Sequence, residues 1–505
     1  MITYLKHLNY FRFYLYSILF YILIFISSCA SNKISVYSDN RFTPISKVET
    51  DFYKSPETRF GQDSTRAIGI SISGGGSRAQ YFGLGILIGL DEIKKDSISF
   101  LDQLDYFSTV SGGGFAVGYY LSLMKNNVLL NRSFLDFWHS DDRKIVLQEF
   151  LSRDVSVTSV FKLSRYEKNR IRKPYPTMIE TELLQYGKIY NGKKIERLYL
   201  SDFFIPAKSD VQVTMPMFVT NGTIYNNGER LPFMPHIIDD LKIEGSLLPV
   251  EKFNINKGYG LPLSYAITGS AAFPGVLPML KFNIKDNADS VIRVIDGAPV
   301  DNLGYTTLFE LLHCDKLENK NKKLLIVDCS GLGKELQLQD NDKVKILKLL
   351  KKSLLFAVEI NLFNSDDNIK YLTKFYDLNE NNIIRIGFSS IKEKFIELEK
   401  NQDSVSLEQV KNLTKRINTG HLKWNTLYKE FVTNSAFNGY TKDNLSEIPT
   451  DRFSLFTIKT IFQLFELSSQ VETKLKITPW EKEALIIAGR YVVYLMQNEI
   501  IGLLN

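Results

Sequence analysis

Along two stretches of this chain, a strand-like pattern of apolar and polar positions gives way to a helix-like one across a run of glycines. From Ala67 to Ser73, isoleucines alternate with small residues, the period of a half-buried strand; Gly74, Gly75 and Gly76 interrupt it, and Ala79 to Ile93 continues with helical spacing. From Leu104 to Val110 a mostly apolar run reads as a buried strand; Ser111 and the glycines 112–114 follow, and Phe115 to Met124, apolar and free of proline, reads as a helix. A third strand is predicted over Val291–Ile295, closed by the turn Asp296-Gly297-Ala298. Strands that feed helices through short glycine turns predict an α/β architecture.

Each turn suits a chemical task. A serine between a strand end and a helix start is lifted clear of the backbone, with the helix dipole favouring negative charge beside it. The stretch Thr109-Val110-Ser111-Gly112-Gly113 is a G-x-S-x-G elbow with its first glycine replaced, which makes Ser111 the candidate nucleophile and Gly112 and Gly113 elements of the elbow. Consecutive glycines at 74, 75 and 76 let several N–H groups converge on one point, an anion-binding nest suited to an oxyanion. Arg78, just beyond, would either orient this loop or bind an anionic head group. Asp296, at a strand end and followed by glycine, lies where the catalytic face of an α/β sheet is expected and would act as the general base.

A competing reading takes Gly74 to Ala79 as the G-x-G-x-x-A dinucleotide fingerprint. It requires an acidic residue about 20 positions on, at the tip of the next strand, and that tip is Ser-Thr-Val-Ser. The five histidines (7, 139, 236, 313 and 421) include none at a strand-end turn. His421, the only one placed late enough for a Ser-Asp-His order, sits in a polar stretch that reads as a helix start. A Ser-Asp dyad is therefore expected.

The order GGGSR, Ser111 in a glycine elbow, then Asp-Gly-Ala resembles the patatin-like phospholipases, whose fold group includes the cytosolic A-type phospholipases. Ala266–Pro278 (AITGSAAFPGVLP) and Phe218–Pro235 (FVTNGTIYNNGERLPFMP) extend the likeness, which covers residues 65 to 335; the second resembles a β-hairpin region of bacterial members. Thr109 in place of the first elbow glycine and Ala79 in place of the glycine usual after the arginine are departures, both to small residues. The resemblance implies a three-layer α/β/α core over residues 64–338 and a Ser111–Asp296 dyad. It further implies an oxyanion hole at Gly74, Gly75 and Gly76, no metal or organic cofactor, and a phospholipid or other acyl lipid as substrate. Water as acceptor makes the protein a hydrolase and another acceptor an acyltransferase; a catalytically silent lipid- or protein-binding lipoprotein is the non-enzymatic alternative.

The N-terminus bears on location. Lys6 and Arg12 precede a 14-residue apolar run, Phe13–Ile26, short for a membrane span and suited to a signal peptide. Ile26-Ser27-Ser28-Cys29 looks like a bacterial lipobox, with residues 1–28 as leader and Cys29 as the acylated residue; an uncleaved anchor helix is the rival reading. Ala30-Ser31 lacks the inner-membrane retention aspartate, which in a two-membrane bacterium favours the outer membrane. Residues 29–63 read as a polar tether.

Composition adds limits. The net charge of +6 suits work beside anionic lipid, without the concentrated basic tract of a nucleic-acid binder, and 44% hydrophobic residues allow a large core. With Cys29 acylated, Cys314 and Cys329 remain, too few for a disulfide framework and without a metal-ligand pattern. Arg153–Lys173 is a basic, aromatic segment read as a lid or a plain surface excursion. Asp342–Leu362 is an amphipathic basic helix that would lie on a membrane or on its own domain. Thr478-Pro479-Trp480-Glu481 starts a final helix whose Leu485, Ala488, Val492 and Leu495 predict docking on the core, within a helix-rich region 339–505.

Overall fold

A computed structural model describes residues 65–126, 175–190, 192–204, 215–240, 261–274, 279–284, 287–315, 317–330, 365–390 and 479–505, with a few isolated positions between them. The leader, Cys29, the tether, the segment 153–173, the helix expected over 342–362, His139 and His421 lie outside the described residues.

A nine-stranded mixed sheet forms the middle layer. Its strands are β1 (Ala67–Ile72), β2 (Tyr106–Val110), β3 (Met217–Ile224), β4 (Arg230–Pro232), β5 (Ile243–Glu244), β6 (Leu280–Ile284), β7 (Asn287–Asp296), β8 (Lys322–Asp328) and β9 (Ile383–Gly387). Across the sheet the order is β9-β8-β1-β2-β3-β7-β6-β5, with β4 paired to β3. From β9 to β3 all pairings are parallel; from β3 through β7 and β6 to β5 they are antiparallel, and β3 and β4 form the hairpin anticipated in 218–235.

All six residues of β1 are buried, and the alternation of side chains along the strand assigns its two faces. Ile72 packs against α1 (Gly76–Glu92), while Gly69 is covered by Leu308 of α4 (Tyr305–Cys314). α1, α2 (Gly112–Lys125) and α3 (Leu263–Ser270) cover one face; α4 covers the other, with α5 (Ser365–Phe375) packed against it. The order of strands and helices is the expected three-layer α/β/α arrangement.

The long C-terminal helix α6 (Pro479–Leu495) packs along α1 and also reaches β9. Leu485, Ala488 and Val492 are fully buried there and Leu495 is half-buried. The two backbones approach so closely that a Cβ on Gly489 would stand 2.3 Å from the Phe82 carbonyl oxygen, and one on Gly85 would stand 2.2 Å from that of Ile486. Only glycine at the crossing permits this distance. A buried ion pair, Arg490 Nε to Glu92 at 2.7 Å, closes the contact and fixes its register.

Candidate active site

Ser111 occupies the single position between β2 and α2. Its backbone is at φ 50°, ψ −119°, a conformation that side-chain-bearing residues rarely adopt and that costs on the order of 1–3 kcal/mol unless the surroundings impose it. Those surroundings are visible. The Ser111 N–H donates to Ser270 Oγ at 2.9 Å, and the Gly114 N–H donates to the Ser111 carbonyl at 2.9 Å. Gly112 and Gly113, the first residues of α2, sit against the carbonyls of Gly76 and Ile72, so the two glycine turns pack backbone to backbone.

Asp296 is the last residue of β7, and it is buried. Its Oδ1 accepts the Ala298 N–H at 2.9 Å, and the carboxylate also accepts the Ser111 hydroxyl. Burial is the dominant influence and raises its pKa from 3.8 to about 6; the hydrogen bonds from Ala298 and Ser111 partly oppose it. A pKa of about 6 leaves the carboxylate mainly ionised at neutral pH yet close enough to the working range to take up a proton readily, as a general base must.

The glycine turn after β1 differs from expectation in one respect. The Gly74 N–H, expected to serve an oxyanion, donates to the Asn302 carbonyl at 2.9 Å. Gly74 is therefore a fixed point of the loop and not a free donor. Gly75 (φ 142°) and Gly76 (φ 59°) carry the turn into α1, and neither N–H has a partner among the described residues. Arg78 proves to be the loop's support: its Nε donates to the Cys329 carbonyl at 2.8 Å, beyond the end of β8. Ser73 Oγ accepts the Cys329 N–H at 2.8 Å from the same strand end. Cys329 is buried and its thiol is pushed up to about 12 by desolvation, which leaves it inert as a nucleophile.

Three residues that the sequence alone did not single out complete the arrangement. Ser270 bonds the Ser111 N–H. Asn221, on β3, donates through Nδ2 to Ser108 Oγ at 3.0 Å and to the Thr109 carbonyl at 3.1 Å, while its Oδ1 accepts the Thr307 hydroxyl at 2.5 Å. Asn302 anchors Gly74. Asn221 and Ser270 fall inside the two segments noted for their resemblance and Asn302 lies just beyond the Asp-Gly-Ala turn, but each is an ordinary polar residue whose partner is remote in sequence. Of the described histidines, His313 is exposed and lies 4.9 Å from the Tyr376 ring at the end of α4, away from Ser111. No cluster of metal-ligating side chains occurs among the described residues.

These features define an α/β protein whose mixed sheet presents a serine elbow and a glycine nest at the C-terminal ends of two parallel strands, and a carboxylate at the C-terminal end of an antiparallel one. Residues 70–309, just under half of the chain, match the family model described as Patatin-like phospholipase, and this region belongs to that family. None of the curated proteins matches the chain. Among solved structures it is similar to human GIVD cytosolic phospholipase A2, at 12% identity over 87% of this chain and 60% of that one, with a TM-score of 0.35. The same human enzyme in complex with methyl gamma-linolenyl fluorophosphonate and terbium chloride aligns at 17% identity over 34% of this chain and 23% of that one, TM-score 0.17. VipD from Legionella pneumophila aligns at 14% identity over 64% and 61%, TM-score 0.25. The alignments thus span about three fifths or less of the matched chains.

Proposed function

We propose that the protein is a serine lipid acyl hydrolase in which Ser111 and Asp296 form the catalytic pair. The carrying observation is the Ser111 hydroxyl donating to a buried carboxylate that titrates near pH 6. With Asp296 ionised, it takes the Ser111 proton as Oγ attacks the acyl carbonyl carbon of a phospholipid or other acyl lipid. The Gly75 and Gly76 N–H groups stabilise the resulting oxyanion, a contribution of roughly 10²- to 10³-fold per well-aimed donor. Asp296 then gives the proton to the leaving alcohol oxygen as the C–O bond breaks, which leaves an acyl-serine. Water, deprotonated by Asp296, attacks that ester; Ser111 regains its proton as the fatty acid departs.

The direct test is labelling by a fluorophosphonate probe that reacts with activated serines. The purified wild-type protein is expected to label, and Ser111→Ala is expected not to. Equal labelling of both would remove Ser111 from the role of nucleophile.

We further infer that the enzyme works at a membrane, tethered by acylation of Cys29. The support is in the sequence: the basic Lys6 and Arg12, the short apolar Phe13–Ile26, and the Ser-Ser-Cys that ends it. Cys29→Ser is expected to lose metabolic labelling by fatty acid and to leave the membrane fraction. A serine variant that still fractionates with membranes would end this part of the proposal.

A further inference from the structure

Between the proposed nucleophile and the proposed base runs a short length of chain, Ser270 to Ala272, at the C-terminal end of α3. It is bonded to both. Through its side chain, Ser270 accepts the Ser111 N–H at 2.9 Å and donates to the Asn221 carbonyl at 2.6 Å. Through its backbone, the same residue accepts the Gly297 N–H at 3.2 Å, and the Ala272 carbonyl accepts the Asp296 N–H at 3.1 Å. Ser270 is wholly buried, and its hydroxyl both accepts and donates, which leaves it no freedom to rotate away. Asn221, at the other end of this relay, is clamped in turn to the strand that carries Ser111, through Ser108 and Thr109.

We propose that Ser270 is a positioning residue: its hydroxyl holds the Ser111 backbone in its strained conformation and, with the Ala272 carbonyl, sets the separation of Ser111 from Asp296. This rests on the reading of Ser111 as nucleophile and Asp296 as base. The strained φ of Ser111 requires such an external tie, because the two flanking elements alone would let the residue relax toward a negative φ. A hydroxyl does what an apolar side chain of the same size cannot. It satisfies a buried N–H that belongs to neither the strand ladder nor the helix, and it passes the constraint to a third element.

A purely structural role and a positioning role differ in what they move. If Ser270 only fills space, its loss lowers stability and nothing else. If it sets the dyad, its loss lets Ser111 drift, weakening the hydroxyl's bond to Asp296. That bond is one of two that oppose the effect of burial on the carboxylate, and the other comes from Ala298. Asp301, the next carboxylate in the chain, turns its oxygens to the N–H groups of Gly304 and Thr306 and does not enter. The acid limb of the rate profile must then move to higher pH.

The experiment compares wild type, Ser270→Ala and Ser264→Ala. Ser264 is also buried on α3, and its hydroxyl has no partner among the described residues, so it controls for loss of a buried hydroxyl. For Ser270→Ala the expected result is a fall in kcat of about 10- to 100-fold at nearly unchanged KM, an acid limb displaced upward, and faster amide hydrogen exchange in a peptide covering 106–115. Ser264→Ala should match wild type in all three. Should Ser270→Ala fold poorly, Ser270→Cys keeps the volume with a far weaker hydrogen-bonding group and is read by the same quantities. Wild-type exchange and an unmoved acid limb in the Ser270 variant would overturn the proposal. Exchange needs no turnover, so an inactive wild type with a protected Ser111 amide that Ser270→Ala releases would count against the dyad and not against Ser270.

Discussion

Asp296→Asn is expected to lower ester hydrolysis by about 10⁴-fold while leaving the protein as stable as wild type or more so at pH 8. The loss follows from the proposed role: among the described residues no other titratable group is bonded to Ser111, so removing the carboxylate removes the proton acceptor, and general-base contributions reach about 10²- to 10⁴-fold. The gain follows from the same burial that makes the group useful. A folded-state pKa of about 6 against 3.8 for an unperturbed carboxyl means that the folded chain holds this proton more tightly than the unfolded one. The associated stability is therefore fully present below about pH 4 and is lost as pH rises through 6. Above that, the ionised carboxylate costs on the order of 3 kcal/mol, which a neutral amide avoids while still accepting the Ala298 N–H. Thermal melts at pH 4 and pH 8 beside initial rates provide the check, and the wild-type rate should rise with pH to a plateau with a midpoint near 6. A variant that keeps its activity, or that loses equal stability at both pH values, would contradict the assignment.

Gly112→Ala is expected to damage both fold and catalysis. A Cβ at this position would stand 2.0 Å from the Gly76 carbonyl oxygen, 2.9 Å from its carbon and 3.1 Å from Ala79 Cβ. The first two are backbone atoms of the opposing glycine turn, and they cannot rotate aside as a side chain would. Accommodation requires that α2 and the loop 74–76 separate. Overpacking in cores typically costs about 1–3 kcal/mol, and a clash between two backbones belongs at or above the upper end. The separation also carries the Gly75 and Gly76 N–H groups away from Ser111, and a shift of about 1 Å at a reacting centre is worth roughly 10²-fold in rate. Urea titration with kcat measured on the folded fraction separates the two effects. A variant with wild-type midpoint and wild-type kcat would show that the two turns do not pack as described.

The glycine-rich turns, the serine between them and the acidic residue at the end of β7 were legible because each is a local event. A strand pattern ends, glycines intervene and a helix pattern begins, all within about ten residues. Arg78 was legible as a residue but not in its task, since the Cys329 carbonyl that it bonds lies 251 positions away. Gly74 was misjudged for the same reason: whether its N–H is free depends on Asn302, which no pattern near Gly74 reports.

What the sequence determined by itself was the strand–turn units around Gly74–Gly76, Ser111 and Asp296, the order of these motifs and the candidacy of Ser111 and Asp296, because periodicity and turn chemistry act over a few residues. Tertiary structure alone decided that Asp296 is buried enough to titrate near 6 and that, among the described residues, the glycine loop leaves two N–H groups without a partner instead of three. It also decided that Ser270 ties the Ser111 backbone to the turn that carries Asp296 and that α6 closes on α1 through facing glycines. Each of these depends on which atoms from distant segments meet, and on how much water is excluded where they do.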